Sequence, residues 1–277
     1  MRIITLTTDF GVSDGYVGVM KGVILSIAPD VRLVDLSHHI PPQDVRQAAY
    51  LLYTVVPFFP SDTVHVVVVD PGVGTERRAI ALETSRGTFV GPDNGLFTYV
   101  LSEVREWRAV ELANPAHRPA RVSNTFHGRD LFSPAAAHLA AGVPLEELGP
   151  PVTDLISLPL PRLEVGSEGV EGELLHADRF GNLITSVGRL QWDGDDLVLS
   201  PAFRRESSPP IRFAAAKVRV EMAGRSLAGI RRTYGEAEMG ELVPLVGSEG
   251  FLEIAVRQGN AQEVLKAQPG DPVRVHL

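Results

Sequence analysis

Apolar and β-branched residues alternate with short polar stops from the first positions of this chain. Ile3-Ile4-Thr5-Leu6-Thr7-Thr8 ends at Asp9-Phe10-Gly11. Val64-His65-Val66-Val67-Val68-Val69 ends at Asp70-Pro71-Gly72-Val73-Gly74, and Gly87-Thr88-Phe89-Val90 ends at Gly91-Pro92-Asp93-Asn94-Gly95. Each run reads as a strand closed by an acid and a Gly/Pro turn. The unbroken run before Asp70 suits a strand buried on both faces of a parallel sheet. Helical spacing appears between the strands. Tyr16, Met20, Val23 and Ile27 share one face of a helix expected over residues 15–27, with Asp14 as its cap. Residues 31–35 mark a further strand, and Pro41-Pro42 opens a helix over residues 43–56. Helices are also expected at 96–104 and 132–141. Residues 1–155 thus read as an α/β domain with a mainly parallel sheet.

The pattern then changes. Residues 155–165 are extended and punctuated by Pro159 and Pro161, and residues 156–168 are assigned as a linker. Residues 169–277 carry strand-like runs at 170–177, 183–187, 217–222, 243–246, 251–256 and 272–277, separated by Gly, Ser and Asp turns. No long helical pattern interrupts them. This predicts an all-β, barrel-like second domain.

Composition narrows the function. A chain of 277 residues with 44% hydrophobic content has room for two cores. A net charge of −8 argues against a nucleic-acid partner. The absence of cysteine excludes disulfides, thiolate nucleophiles and Cys-ligated metal centres. Neither a signal-peptide pattern nor an apolar stretch of membrane-spanning length is present, so a cytoplasmic protein without a membrane partner is expected.

Ligands of open α/β sheets bind beyond the carboxyl ends of the strands. Asp9, Asp70 and Asp93 are therefore expected at one crevice. The stretch from Asn124 to Ala135 adds a polar loop ending in Phe126-His127-Gly128, then Arg129-Asp130 and a helix. A glycine beside His127 leaves the imidazole approachable. Arg77 follows Asp70 by seven residues on a turn able to fold back. Asp70, Arg77 and His127 together can hold a water, orient it and favour its hydroxide form. The Asp70 loop lacks both the P-loop ending and the dinucleotide-binding spacing. Asp9, Asp14, Asp70 and His127, with His38 or His39, form the alternative of a hard metal site. No His-x-His or His-Glu-x-x-His spacing supports it, and no metal or cofactor is expected. A Gly-x-Ser-x-Gly elbow is also missing. In the second domain, Asp178-Arg179-Phe180-Gly181-Asn182 offers an aromatic face and an amide to a planar ring. Gly247-Ser248-Glu249-Gly250 reads as a hairpin turn.

Taken in order, Thr8-Asp9-Phe10-Gly11, Val69-Asp70-Pro71-Gly72-Val73-Gly74, Pro92-Asp93-Asn94-Gly95, Phe126-His127-Gly128-Arg129-Asp130 and Asp178-Arg179-Phe180-Gly181-Asn182 span nearly the whole chain. In these motifs the chain resembles the S-adenosyl-L-methionine (SAM) hydroxide adenosyltransferases, adenosine-forming SAM hydrolases related to the SAM-dependent fluorinase and chlorinase. The resemblance implies SAM as substrate, with water as nucleophile. It implies a homotrimer in which SAM lies between the N-terminal domain of one subunit and the C-terminal domain of the next. Asp70, Arg77 and His127 match the family's set around the attacking water. Halogenases instead carry tyrosine at the aspartate position and lack the histidine. By the same resemblance Asp9 binds the ribose hydroxyls and Asp14 lies near the methionine end. Asp178 and Ser248 meet the methionine amino group, Phe180 and Tyr234 flank adenine, and Asn182 bonds its edge. Asn94 is counted with the substrate-binding residues. Glu249 and Tyr16 stand where the halogenases carry arginine and serine. Two alternatives remain: a SAM-dependent halogenase, and a non-catalytic SAM or adenosine sensor that would have no use for the Asp70 set.

Overall fold

The computed structural model describes residues 2–166, 169–203 and 209–277; residues 167 and 168, at the end of the expected linker, lie outside the described residues. The chain forms two compact units, Met1–Pro159 and Leu160–Leu277.

The first unit is a mixed sheet with helices on both faces. Its strands are β1 (Ile3–Thr8), β2 (Arg32–Ser37), β3 (Val64–Val68), β4 (Ala79–Thr84), β5 (Gly87–Pro92), β6 (Trp107–Glu111) and β7 (Pro151–Val152). They lie in the order β2-β1-β3-β5-β4-β6-β7. The first four are parallel. The remaining pairings are antiparallel. The parallel half contains the strands that end in acids, so Asp9, Asp70 and Asp93 all emerge at one edge. The unbroken valine run of β3 has a plain cause. Val66 and Val68 pack into one core with Met20, Ile24, Phe132 and Ala136. Val67 and Val69 pack into another with Ala48, Leu52 and Phe89. Successive strand side chains point to opposite faces, and both faces are covered. His65 is fully buried in β3, with Nδ1 2.8 Å from Thr5 Oγ1 and its ring stacked on Phe89. Burial lowers its pKa to about 4.

The helices are α1 (Tyr16–Ile27), α2 (Val45–Val55), the four-residue α3 (Thr98–Leu101) and α4 (Ser133–Ala141). Two expectations about α1 need correction. Its buried face is Val17, Met20 and Ile24, whereas Tyr16 is 49% exposed. The Tyr16 ring instead turns onto Phe10 and Phe126. Asp14 caps nothing: Gly15 occupies the cap position without a side-chain bond, leaving the exposed Asp14 one residue too far back. Helix α2 does carry a side-chain cap, since Asp44 accepts from the Gln47 N–H at 2.9 Å.

The second unit is an antiparallel, nearly barrel-shaped sheet. It contains β8 (Leu163–Gly166), β9 (Gly169–Ala177), β10 (Leu183–Gly188), β14 (Arg219–Met222), β15 (Arg225–Ala228), β16 (Leu242–Val246), β17 (Phe251–Val256) and β18 (Pro272–His276). The order is β15-β14-β18-β9-β10-β17-β16, with β8 beside β9. A bridge between Arg231, just past β15, and Leu245 of β16 brings the two ends of this path together. A small sheet of β11 (Leu190–Asp193), β12 (Asp196–Leu199) and β13 (Ile211–Ala214) packs Leu190, Leu197, Leu199 and Phe213 into the same core. Among the described residues of this unit the α-helix is the short α5 (Ala261–Leu265). Among the described residues no helix is long and apolar enough to cross a membrane.

Candidate active site

The turn after β3 folds back on itself. The Val73 N–H donates to the Asp70 carbonyl at 3.2 Å and the Thr75 N–H to the Gly72 carbonyl at 3.2 Å. This returns Arg77 to Asp70. Arg77 Nε donates to Asp70 Oδ1 at 3.0 Å and Nη2 to Oδ2 at 2.5 Å, with both side chains almost fully buried. The Phe132 ring lies 5.4 Å from the guanidinium carbon. The two glycines of the turn make space for these contacts. A Cβ on Gly72 would sit 3.3 Å from Arg77 Cγ. Gly74 has φ +78, and a Cβ there would be 2.4 Å from the Asn124 carbonyl oxygen. The first contact seats the arginine, and the second lets the Asp70 loop approach the loop that carries His127.

His127 precedes a π-helical turn, Gly128–Phe132, that leads into α4. Such turns recur at functional sites. A Cβ on Gly128 would lie 3.1 Å from Met20 Sδ and 3.2 Å from the Phe126 ring, so any larger residue beside the histidine must displace these side chains. Arg77 Nη2 lies 2.8 Å from His127 Nδ1. A guanidinium only donates, so Nδ1 accepts and the imidazole is neutral with its proton on Nε2. The electrostatics agree. Burial and then the Arg77 charge push the His127 pKa below its ordinary value, against a smaller opposing pull from Asp70 and Asp130. Asp130 is held below the usual carboxylate range, chiefly by its bond from Arg129. Its carboxylate accepts from Arg129 at 2.6 and 2.9 Å and from the Ser123 N–H at 2.7 Å, which ties down the start of the histidine loop. One guanidinium nitrogen is left over. Arg77 Nη1 is buried and has no hydrogen-bond partner among the described residues.

The other expected residues of this unit divide into two groups. Asp9 is half-buried, and its Oδ2 accepts from the Gln43 N–H at 2.8 Å. The turn holding it is pinned by the Gly11 N–H on the His38 carbonyl at 2.8 Å and by Thr8 Oγ1 beside His38 Nδ1 at 2.9 Å. Asp14 is exposed. Asp93 and Asn94 serve the scaffold. Arg78 donates to Asp93 at 2.9 and 2.6 Å, and the Ile156 N–H adds a bond of 2.9 Å. Asn94 spends its amide on the backbone, donating to the Val69 carbonyl at 2.9 Å and accepting from the Leu96 N–H at 3.3 Å. Sequence reasoning missed an aromatic trio around Gly128. Phe10, Tyr16 and Phe126 pack pairwise with centroids 5.2 to 6.0 Å apart. Their signal was the aromatic immediately after Asp9 and the one immediately before His127.

In the second unit the Asp178 turn closes on its own carboxylate. Asp178 Oδ1 accepts from the N–H groups of Phe180 and Asn182 at 2.8 and 2.9 Å, and Oδ2 from the Asn182 amide at 3.0 Å. Gly181 has φ +82, and a Cβ there would be 2.0 Å from Asn260 Oδ1, so glycine is required. The turn leaves Phe180 75% exposed, an apolar ring standing in solvent. Tyr234 donates its hydroxyl to Glu253 Oε1 at 2.6 Å. Ser248 Oγ lies 3.0 Å from Glu249 Oε1 on an exposed turn. Glu253 was also missed; its signal was a single acid within the apolar run of β17. Among the described residues no group of three or more His, Asp or Glu is arranged to hold a metal ion.

The chain matches known proteins along nearly its whole length. Residues 4–149 match the SAM hydroxide adenosyltransferase N-terminal domain, and residues 172–274 match its C-terminal domain. The (R)-S-adenosyl-L-methionine hydrolase of Thermus thermophilus is 45% identical, covering 99% of this chain and 100% of that protein. A fluorinase of Actinopolyspora mzabensis is 30% identical over 99% of this chain and 96% of its own length. The crystal structure of an uncharacterised conserved protein from Thermotoga maritima superposes with a TM-score of 0.83 at 36% identity, covering 98% of this chain and 99% of that one. With both domain patterns matched in order and a hydrolase relative aligned end to end, the chain belongs to the SAM hydroxide adenosyltransferase family.

Proposed function

We propose that this enzyme hydrolyses (R)-S-adenosyl-L-methionine to adenosine and L-methionine. The observation that carries the reading is the Asp70–Arg77–His127 cluster with one guanidinium nitrogen, Nη1, unspent among the described residues. A buried donor without a partner costs about 1–3 kcal/mol, and a water or hydroxide oxygen placed there removes that cost. The water oxygen attacks ribose C5′ in line. The C5′–S bond breaks with its electron pair going to sulfur, methionine leaves as a neutral thioether, and one proton is released to solvent. Hydroxide character in the nucleophile and the positive sulfonium cancel as the bond forms, so a site that excludes water and supplies fixed dipoles favours this transition state. Arg77 and His127 hold and polarise the water, and Asp70 keeps Arg77 in place. The halogenase alternative fits less well. Asp70 already neutralises Arg77, which leaves no net positive charge for a halide, whereas neutral water needs none.

The same reading gives Asp9 to the ribose hydroxyls and Asp14, Asp178 and Ser248 to the methionine end. Phe180, Tyr234 and Asn182 go to adenine. It includes a cytoplasmic homotrimer that needs no metal or cofactor, in which each subunit lends its second unit to a neighbour's first. Co-assembly of Asp70→Ala with Asn182→Ala subunits, each inactive alone, tests that arrangement by recovered activity; an active monomer in light scattering overturns it. The chemistry is tested by incubating the protein with SAM in H₂¹⁸O without added metal. Adenosine carrying the label at its 5′ oxygen, together with methionine, is expected. Unlabelled adenosine, or 5′-halo-adenosine formed in preference at moderate chloride, refutes it.

A further inference from the structure

Resting on that reading, we infer that Glu253 is a positioning residue for the substrate, acting at the adenosyl end through Tyr234 and at the methionine end through the Ser248 turn. Its buried carboxyl fixes Tyr234 and the Gly247-Ser248 turn. Three observations meet at this side chain. Glu253 lies in β17 among Phe251, Leu252, Ile254, Ala255 and Val256, and is itself only 7% exposed. An acid in such a strand is unfavourable for the fold, and no basic side chain pairs with it among the described residues. Local rules broken without a structural gain mark functional positions. Second, Oε1 accepts the Tyr234 hydroxyl at 2.6 Å, which sets the tilt of a half-exposed ring at the edge of the unit. Third, a Cβ on Gly247 would lie 2.6 Å from Oε2, so the turn carrying Ser248 rests directly on the other carboxyl oxygen. One group thus touches two loops that the functional reading assigns to the ligand.

Charge ties it to the third. Burial raises the Glu253 pKa, and the Asp178 carboxylate raises it further. Burial, the Glu253 bond and the Asp178 charge together raise the Tyr234 pKa, so the phenol keeps its proton and is the donor of this pair. Asp178 is the residue that closes the turn bearing Phe180 and Asn182. The Tyr234 hydroxyl and the Phe180 turn therefore stand within electrostatic reach of each other at one end of the unit. Glu253 reaches the substrate only through these groups, and its effect belongs to binding rather than to the bond-breaking step.

The experiment is a mutant cycle read in two ways: SAM steady-state kinetics, and calorimetry with adenosine as probe. Glu253→Met and Tyr234→Phe are each expected to raise the SAM KM and the adenosine Kd about tenfold, the size of one charge-assisted hydrogen bond, with kcat changed less than about threefold. In adenosine binding the double variant is expected to be no weaker than either single variant, because for that probe both remove the same bond. Glu253→Gln keeps an acceptor oxygen and is expected to recover most of the affinity lost in Glu253→Met. Should Glu253→Met fail to fold, Gly247→Ala replaces it. Its φ is not left-handed, and its Cβ pushes the Glu253 carboxyl away from the Tyr234 hydroxyl, so the same rise in adenosine Kd is expected. Additive losses in the double variant, an unchanged adenosine Kd, or a fall in kcat alone each overturn the inference. A wild-type protein that binds adenosine but leaves SAM intact defeats the functional reading, while the calorimetric cycle still decides the role of Glu253.

Discussion

Arg77 and Arg78 are consecutive residues, and each meets an aspartate at the end of a parallel strand. The two pairs differ in how completely they are satisfied. Arg78 donates to Asp93 and also to the Asp154 carboxylate and carbonyl, both at 2.6 Å. Asp93, 2% exposed, takes a further N–H from Ile156. Every strong group of that pair has a partner, and the pair fastens residues 154–156 to the sheet. Arg77 instead shares Nη2 between Asp70 and a neutral histidine and leaves Nη1 without a partner among the described residues. Neighbouring side chains of extended backbone point opposite ways, so Arg78 is spent on the scaffold while Arg77 is the one proposed for the site. Residue type and position do not separate them, but unspent hydrogen-bonding capacity does.

The sharpest test is at His127. Replacement by alanine is expected to lower kcat by about 10²–10⁴-fold, the usual loss for a positioned proton-handling group, with the SAM Kd changed little. Single-turnover rates beside calorimetry separate the two quantities. If His127→Ala abolished binding but turned over bound SAM normally, the histidine would belong to the ligand and the contrast with Arg78 would collapse. The pH profile sharpens the point. The His127 pKa is depressed below 6.5, and protonation destroys the Nδ1 acceptor that Arg77 needs. The wild-type kcat/KM is expected to stay level through neutrality and to fall only below pH 6.5, as pH drops through the folded pKa. A limb centred above pH 7 contradicts the assignment.

A second histidine makes the scaffold counterpart. His65 is buried against Phe89 and titrates near 4 instead of 6.5. Below pH 6.5 the unfolded chain takes up a proton that the folded chain refuses until about pH 4. Stability is therefore whole above pH 6.5 and declines as pH falls through that window. At 1.36 kcal/mol per unit the loss reaches about 3 kcal/mol. Urea melts of wild type and His65→Leu across pH 4–7 measure it by difference: the wild type is expected to show the extra slope and the variant to lack it. Parallel slopes would remove His65 from the account.

Breaking the other arginine pair should leave chemistry alone. Arg78→Met strands the buried Asp93 carboxylate, and about 2 kcal/mol of stability is expected to go, less than for a fully buried pair because Arg78 is partly exposed. The kcat of the folded variant is expected to match wild type. A collapse of kcat without a change in melting temperature would place Arg78 in the site and defeat the distinction drawn here.

Much of this was visible in the residues, and the failures have identifiable causes. The β-branched runs ending at Asp9 and Asp70 announced strands because no helix buries such a sequence comfortably. In the second unit, Gly and Asp turns bounded runs close to β9, β10, β16, β17 and β18. Strands β4 and β6 went unread because Ala-Ile-Ala-Leu-Glu-Thr and Trp-Arg-Ala-Val-Glu carry no strong strand pattern; their pairing with β5 and β7 decides them. The π-helical turn after His127 depends on how Gly128 packs against Met20 and Phe126, a tertiary fact. Asp93 read like Asp70 because both close a strand, and only the Ile156 and Asp154 contacts, some sixty residues on, tell them apart. Glu253 was hidden by its apolar neighbours.

The smallest expected effect is at Asp14, where the sequence suggested two roles at once. As a helix cap its loss would cost about 1 kcal/mol. The structure removes that role, since α1 begins at Tyr16 and Gly15 holds the cap position without a side-chain bond. Asp14→Ala is therefore expected to leave the melting temperature unchanged within about 1 °C, the ordinary outcome at an exposed position. What remains is the proposed place beside the methionine ammonium. An exposed ion pair contributes about 0.2–1 kcal/mol, which corresponds to a rise in the SAM KM of no more than about fivefold. Adenosine lacks the ammonium, so its Kd should not move. An unchanged melt, a modest KM effect and an untouched adenosine Kd would together assign Asp14 to the ligand, as unspent hydrogen-bonding capacity marks Arg77 rather than Arg78 for the proposed site. A drop in melting temperature with KM unaltered would return Asp14 to the scaffold.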